Sequence, residues 1–276
     1  MKKIINIIGV LIFLFSHFIY SQSIRVYYEL DYQPSKASKD RKKTIDLLTI
    51  KGNQSTFQNQ NVLMRDSLFI KAFSEHRDLM QKEQKSIYKK IPNAYKVIKK
   101  DNEKLILNEY IGNLGGFYYE EKMNLNWAIL NETQKIENIL CQKATTQYGG
   151  RQWTAWFSNE IPINNGPYKF GNLPGLIIKM NDDKNEFIWT MKGLRHDDKF
   201  QLYIKNMMEH QGFACTKISK KQFQKTIKKY YKNPLGNYME TFQHYKKDAD
   251  FIKKLREYEK AELDFIKNHN NSIEKY

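Results

Sequence analysis

Hydrophobic and polar positions alternate sharply from Ser23 to Tyr32 (SIRVYYELDY). Ile24, Val26, Tyr28 and Leu30 take one face, and Arg25, Tyr27 and Glu29 the other. Period-two alternation over this length predicts a half-buried strand. A polar, Lys-rich connection follows, then a second strand over Thr44 to Ile50, a turn at Lys51-Gly52-Asn53 and a return through Ser55-Thr56-Phe57. From Asn61 to Lys90 the alternation stops and helix formers dominate, so this stretch is a helix or a surface excursion, closed by Pro92. Beyond it, strands are predicted at Tyr95 to Ile98, Lys104 to Tyr110, Phe117 to Met123, Leu125 to Leu130, Arg151 to Ser158, Leu176 to Met180 and Phe187 to Met191. Short strands with no helices between them point to an antiparallel sheet and exclude the βαβ alternation of a dinucleotide enzyme. Near residue 217 the period changes. Ser219 with Gln222 three positions on reads as a capping box opening a helix through Phe223, Ile227 and Tyr230, which Asn233-Pro234 ends. Tyr238, Phe242, Tyr245, Ala249 and Ile252, spaced 4, 3, 4, 3, lay an apolar stripe along a second helix. The predicted fold is α+β: a mostly antiparallel, curved β-sheet with C-terminal amphipathic helices packed against it, in one domain over 23–276, β-rich to 216 and helical from 217.

The first 22 residues stand apart. Lys2 and Lys3 precede an apolar run from Ile4 to Tyr20, and Ser21, Gln22 and Ser23 follow it, the layout of a cleaved secretory signal. This run is seventeen residues long, interrupted by Asn6, Ser16 and His17, which is at the short limit for crossing about 30 Å of hydrocarbon. The expectation is an exported chain, periplasmic or secreted, cleaved between Ser21 and Ile24, with no membrane-spanning segment afterwards. Among the 276 residues, 41% are apolar and 14% aromatic, enough to build a core and to exclude disorder and fibrous classes. Loss of Lys2 and Lys3 lowers the formal charge from +16 to +14, and residues 217–276 carry +7 of it. Charge on the outer face of an amphipathic helix is ordinary, and the alternative is contact with an anionic surface through 217–276. For an exported protein that surface is lipid headgroup or polysaccharide, not nucleic acid. The two cysteines, Cys141 and Cys215, are either a disulfide permitted by export or, the favoured reading, two unpaired thiols.

Backbone specialists crowd one segment. Between Tyr148 and Asn181 lie Gly149, Gly150, Gly166, Gly171 and Gly175, with Pro162, Pro167 and Pro174. Such density specifies a rigid excursion from Pro162 to Gly175, with Gly175 expected at positive φ. In this segment the chain resembles the GLPGLI family of exported Bacteroidetes proteins. The signature reads Asn172-Leu173-Pro174-Gly175-Leu176-Ile177, preceded in order by Cys141-Gln142-Lys143-Ala144, Gly150 to Phe157, Glu160-Ile161-Pro162-Ile163 and Gly166-Pro167-Tyr168-Lys169-Phe170. Leu48 to Phe57 resembles the family's early strand, and Asn271-Ser272-Ile273-Glu274 its Asn-Pro-Ile-Glu terminus. Asn172 replaces the signature's first glycine, and Asn is the residue that best keeps a left-handed turn without glycine. The resemblance implies an exported, β-rich domain and brings no reaction with it.

On a strand from Arg151, Trp153, Ala155 and Phe157 share one face and Trp156 the other. Two indoles on opposite faces are core packing, or one lines an apolar groove with Arg151 at its mouth and Tyr168 and Phe170 contributed by the loop. Arg151 reads equally as a structural arginine bonding loop carbonyls. The candidate binding residues are therefore Arg151, Trp153, Trp156, Tyr168 and Phe170, and the signature loop is fixed by Gly166, Pro167, Gly171, Asn172, Pro174 and Gly175. No catalytic residue is named: Cys141 has no base nearby in sequence, and His196-Asp197-Asp198 lacks the spacing of a metal site. Nothing calls for a cofactor, since there is no phosphate-cradling glycine loop, His-Glu-x-x-His or Gly-x-Ser-x-Gly. The functional expectation is a non-enzymatic binding module presenting loop and Trp strand to an envelope protein or ligand. The alternatives are a carrier of an apolar ligand in a sheet-lined groove and an envelope hydrolase built on Cys141 or distant carboxylates.

Overall fold

In the computed structural model, which describes residues 23–75, 96–101, 104–122, 124–197, 199–202, 209, 212–236 and 249–275, the first alternating segment is strand β1, Ile24–Tyr32. Val26, Tyr28 and Leu30 face the core as the alternation requires. The leader at 1–22, the stretch 76–92 and the apolar stripe from Tyr238 to Tyr245 lie outside the described residues. Two meanders follow one another. The first runs through β1, β2 (Lys42–Lys51), β3 (Gln54–Asn59), β4 (Val97–Asp101), β5 (Lys104–Tyr110) and β6 (Gly116–Lys122). The second runs through β7 (Ala128–Ile136), β8 (Ile139–Tyr148), β9 (Arg151–Ser158), β10 (Leu176–Asp182) and β11 (Phe187–His196). Antiparallel pairing of β1 with β11, from Ile24 opposite His196 to Tyr32 opposite Phe187, joins them into one twelve-stranded sheet. Its order is β12-β6-β5-β4-β3-β2-β1-β11-β10-β9-β8-β7, with β12 (Cys215–Lys217) added parallel to β6.

Connectivity forces the sheet to curl. Strands β6 and β7 stand ten places apart in the strand order, which is about 48 Å across a flat sheet at roughly 4.8 Å per strand. The link between them, residues 123–127, spans at most about 20 Å. The two ends of the sheet must therefore approach each other, and Tyr148 on β8 donates its hydroxyl to Glu121 on β6 at 3.3 Å. One hydrophobic cluster fills the concave side, with Val26, Leu48, Ile98, Leu107, Tyr119, Trp153, Phe157 and Trp189 among its members.

Helix α1 (Gln60–Ser74) follows β3 directly, capped by the Asn59 side chain accepting from the Asn61 amide. Helix α2 (Lys220–Lys232) opens on the Ser219/Gln222 capping box and buries Phe223, Ile227 and Tyr230. The Phe223 ring meets Tyr119 of β6 edge-on at 4.9 Å, which seats the helix on the sheet. Helix α3 (Ala249–Asn268) buries Leu255 and Glu262 and leads into an ordered tail through Lys275.

The sequence pattern misplaces one hairpin. It puts a strand at Leu125 to Leu130, whereas β7 runs Ala128–Ile136 and turns back through Glu137 and Asn138, both at positive φ, into β8. Almost every β7 residue is exposed, so no apolar alternation marks it, and its strand character comes from pairing with β8. Cys141 on β8 and Cys215 on β12 are unpaired thiols. Burial pushes the Cys141 thiol up to about 11, which keeps it protonated at neutral pH.

Candidate functional site

Of the residues singled out in the sequence, Trp153, Tyr168 and Phe170 meet on the concave face. Trp153 and Phe170 are wholly buried and Tyr168 is 2% exposed. The Phe170 ring lies 4.9 Å from Trp153 and 5.6 Å from Tyr148, and Tyr168 stacks on Trp189 at 6.3 Å. The loop from Ile161 to Gly175 folds back under the sheet and fills its interior. Lys100 of β4 donates to the Asn165 side chain at 2.8 Å and to the Phe170 carbonyl at 2.6 Å. Asn165 in turn donates to Ser55 of β3, and Trp127 to the Gly171 carbonyl at 2.9 Å. Trp156 lies on the other face, half-buried, with the Lys143 ammonium 5.8 Å from its ring.

Positive φ in this loop falls on Tyr168 (53°) and Asn172 (65°), not on Gly175. Asn172 thus keeps the left-handed turn expected of it. The expectation for Gly175 is corrected: a Cβ there would lie 2.0 Å from the Ser158 carbonyl oxygen, so the residue is needed for close backbone approach. At Gly166 it is a side chain that takes the space, since a Cβ there would meet Ile177 Cδ1 at 2.5 Å. Pro167 accepts from the Phe170 amide and closes the turn between them, while Pro174 is exposed.

Arg151, its side chain fully buried, binds the tail. Its Nε donates to the Ile273 carbonyl at 3.0 Å, and its Nη2 to Asn271 Oδ1 and the Ser272 carbonyl, both at 2.8 Å. Its Nη1 donates to Asp182 at 2.6 Å and to Glu186 at 2.5 Å, and the guanidinium lies 4.8 Å over Phe187. Every guanidinium nitrogen is engaged, as a buried arginine requires. All of these partners are the protein's own, and the carbonyls among them belong to the tail rather than to the signature loop. Gly149 and Gly150, at φ 59° and 74°, let the tail pass: a Cβ on Gly149 would meet Glu274 at 2.9 Å, and the Lys275 amide donates to the Gly149 carbonyl at 2.7 Å.

Lys169 makes the second anchor. Fully buried, it reaches Glu274 and Glu121 at 2.6 Å each and Tyr119 Oη at 2.7 Å. Lys220 of α2 lies 2.6 Å from Glu121 and 3.4 Å from Glu274, and Tyr168 donates to Glu274 at 2.6 Å. Desolvation opposes ionising Glu274, but Lys169, Lys220 and the hydrogen bonds outweigh it and bring its pKa down to about 2. Two ammonium groups against two carboxylates leave this network neutral.

A different feature lies beside the tail. A cavity of about 50 Å³ is lined by residues of β1 to β3 and β11, with Lys96, Ile98, Tyr168 and Ile273 closing it. Asp46 is on its wall, 6% exposed, on the same strand face as Leu48 and Ile50. Its carboxylate accepts from Asn59 Nδ2 at 2.9 Å and from Trp189 Nε1 at 3.0 Å. Both donors are neutral. Desolvation raises the Asp46 pKa to about 6 against these two hydrogen bonds. Sequence reasoning passed over Asp46 and Asn59, and met Lys169 and Glu274 only as members of family-like segments with no role attached. The signal for Asp46 is a lone carboxylate in the apolar strand Thr-Ile-Asp-Leu-Leu-Thr-Ile; tail docking has no local signal. Among the described residues no group of side chains could hold a metal ion.

A family model described as "Protein of unknown function (Porph_ging)" matches residues 150–179, the stretch that runs from the glycine turn through the buried loop into β10. This stretch holds the signature read in the sequence. No curated protein matches the chain. Among solved structures, PNGF-II in space groups P21 and C2 is similar over 75% of this chain at 13% identity, with TM-scores of 0.48 and 0.49. The chain spans about a third of the length of these structures, 33% and 32%.

Proposed function

We propose that the chain is an exported binding module whose ligand site is the Asp46 cavity rather than the Trp strand and the signature loop. The observation that carries this reading is a buried carboxylate, held by neutral donors, on the wall of a cavity. Desolvating a charge without a counter-charge costs several kcal/mol, and a fold that needed only stability would fill this position with an aliphatic residue. By contrast, the buried charges of the signature, Arg151 and Lys169, are consumed in holding the tail. The rigid loop and tail are then the scaffold that shapes the cavity, through Tyr168 and Ile273 in its wall. Its volume corresponds to a few water-sized groups at about 10–15 Å³ each, well below the 300–1,000 Å³ of pockets for drug-sized ligands. A small polar group fits this site, and an acyl chain does not. Exposed lysines on α2, among them Lys225, Lys228, Lys229 and Lys232, offer attachment to an anionic envelope surface.

Native mass spectrometry of the protein taken from its own envelope fraction tests the reading. A small stoichiometric adduct is expected on the wild type and is lost in a folded Asp46→Asn variant. A bare wild-type chain, or an adduct that persists in Asp46→Asn, rejects it.

A further inference from the structure

We infer that the Asp46 cavity takes a small organic cation, a protonated primary amine on a stem of a few heavy atoms. The inference rests on the binding-module reading and adds the ligand's chemistry. Each Asp46 oxygen accepts one hydrogen bond from a neutral donor, Oδ1 from Asn59 and Oδ2 from Trp189. A carboxylate oxygen can accept two, so acceptor capacity and a full negative charge remain on the cavity wall. Around it stand the aromatic side chains of Tyr32, Phe57, Tyr168 and Trp189 and the aliphatic ones of Leu30, Ile98 and Ile273. Aromatic faces attract cations, most strongly where water is excluded. Three ligand classes fail on this lining. An anion is repelled by Asp46. A neutral molecule leaves the buried charge uncompensated. A hard metal ion needs six or more oxygens, of which the cavity supplies one carboxylate and a few neutral groups. An ammonium on a short stem meets both demands, with its charge on Asp46 and its carbons on the rings.

The other groups facing Asp46 agree with this. From β1 comes Tyr32, from β2 Thr44, from β3 Gln58 and Asn59, and from β11 Trp189. The signature loop supplies Tyr168, whose hydroxyl is directed to Glu274, and ahead of β4 stands Lys96, paired with Glu109 at 3.4 Å. Of these only Lys96 is cationic, and its ion pair is with Glu109. A bound ammonium stabilises the Asp46 carboxylate, so binding below about pH 6 releases a proton and weakens about tenfold per pH unit.

The Trp189 indole N–H donates to Asp46 and reports the site directly. Full-length protein labelled with ¹⁵N is titrated with methylammonium chloride at constant ionic strength, and in parallel with acetamide as a neutral probe of similar size. The expected result is a saturable shift of the Trp189 indole resonance with methylammonium only, absent in Asp46→Asn and weakening tenfold per unit between pH 6 and pH 4. If Asp46→Asn does not fold, the pH profile of the wild type carries the same decision. Equal response to acetamide, or an affinity flat from pH 7 to pH 4, overturns the cation inference and leaves a ligand site at the cavity. No response to either probe overturns the inference as well, and the native mass spectrum then decides the binding-module reading on its own.

Discussion

At the scale of single residues, two neighbours in one loop solve different problems. Asn172 sits at φ 65° and is exposed, so its demand is conformational. Gly175 has no positive φ, and the Ser158 carbonyl stands where its Cβ would be. Asn172→Gly is therefore expected to be close to neutral, and Asn172→Ala to cost about 1 kcal/mol, the price of an L-residue held left-handed. Gly175→Ala should cost about 2–3 kcal/mol by overpacking against a backbone atom that cannot yield cheaply. Urea denaturation of the three variants checks this, and equal midpoints for the two alanine variants would show the loop to be looser than described. Asp46 has its own signature. Its pKa is raised on folding, from 3.8 to about 6, so the folded state holds the proton more tightly. Relative to Asp46→Asn, the wild type should gain roughly 2 kcal/mol as pH falls from 7 to 4, most of it between pH 6 and pH 4. Parallel stability curves for the two proteins over that range would contradict the assignment.

Among the elements, those legible in the sequence carry their own pattern. Strand β1 alternates, α2 announces its start with Ser219 and Gln222, and the Gly/Pro density of the signature marks a specified loop. What was not legible depends on partners distant in sequence. The β7–β8 hairpin is held by a ladder and a two-residue turn at Glu137 and Asn138, without an apolar face to betray it. The tail owes its position to Arg151, some 120 residues earlier, and the arginine's role could be read from either end only as one of two alternatives. Arg151→Met should cost about 3–5 kcal/mol, because it leaves Asp182 without its counter-charge and the Ser272 and Ile273 carbonyls without their donor in a dry interior. It should also free the tail. Hydrogen exchange at the Lys275 amide, which donates to Gly149, is the direct reading, and continued protection of that amide in the variant would mean the arginine is not the clamp.

For the whole molecule, the buried network of Lys169, Glu121, Lys220 and Glu274 couples loop, sheet, helix and tail through charge. Because folding depresses the Glu274 pKa from 4.5 to about 2, the stability it contributes is fully present above about pH 4.5 and is lost as pH falls toward 2. That contribution is about 3 kcal/mol, and Glu274→Gln should remove the corresponding slope from the acid-unfolding curve. An unchanged slope would assign the acid sensitivity to other groups. The same arrangement sets a limit on when folding can finish. A growing chain exposes Arg151 and Lys169 long before residues 271–274 exist to cover the first and, through Glu274, to pair with the second, and β1 must likewise wait for β11. Until synthesis has passed residue 274, the interior holds two cations without their full set of acceptors and stays open to water. The fold therefore closes late, once nearly the whole sequence is available to it.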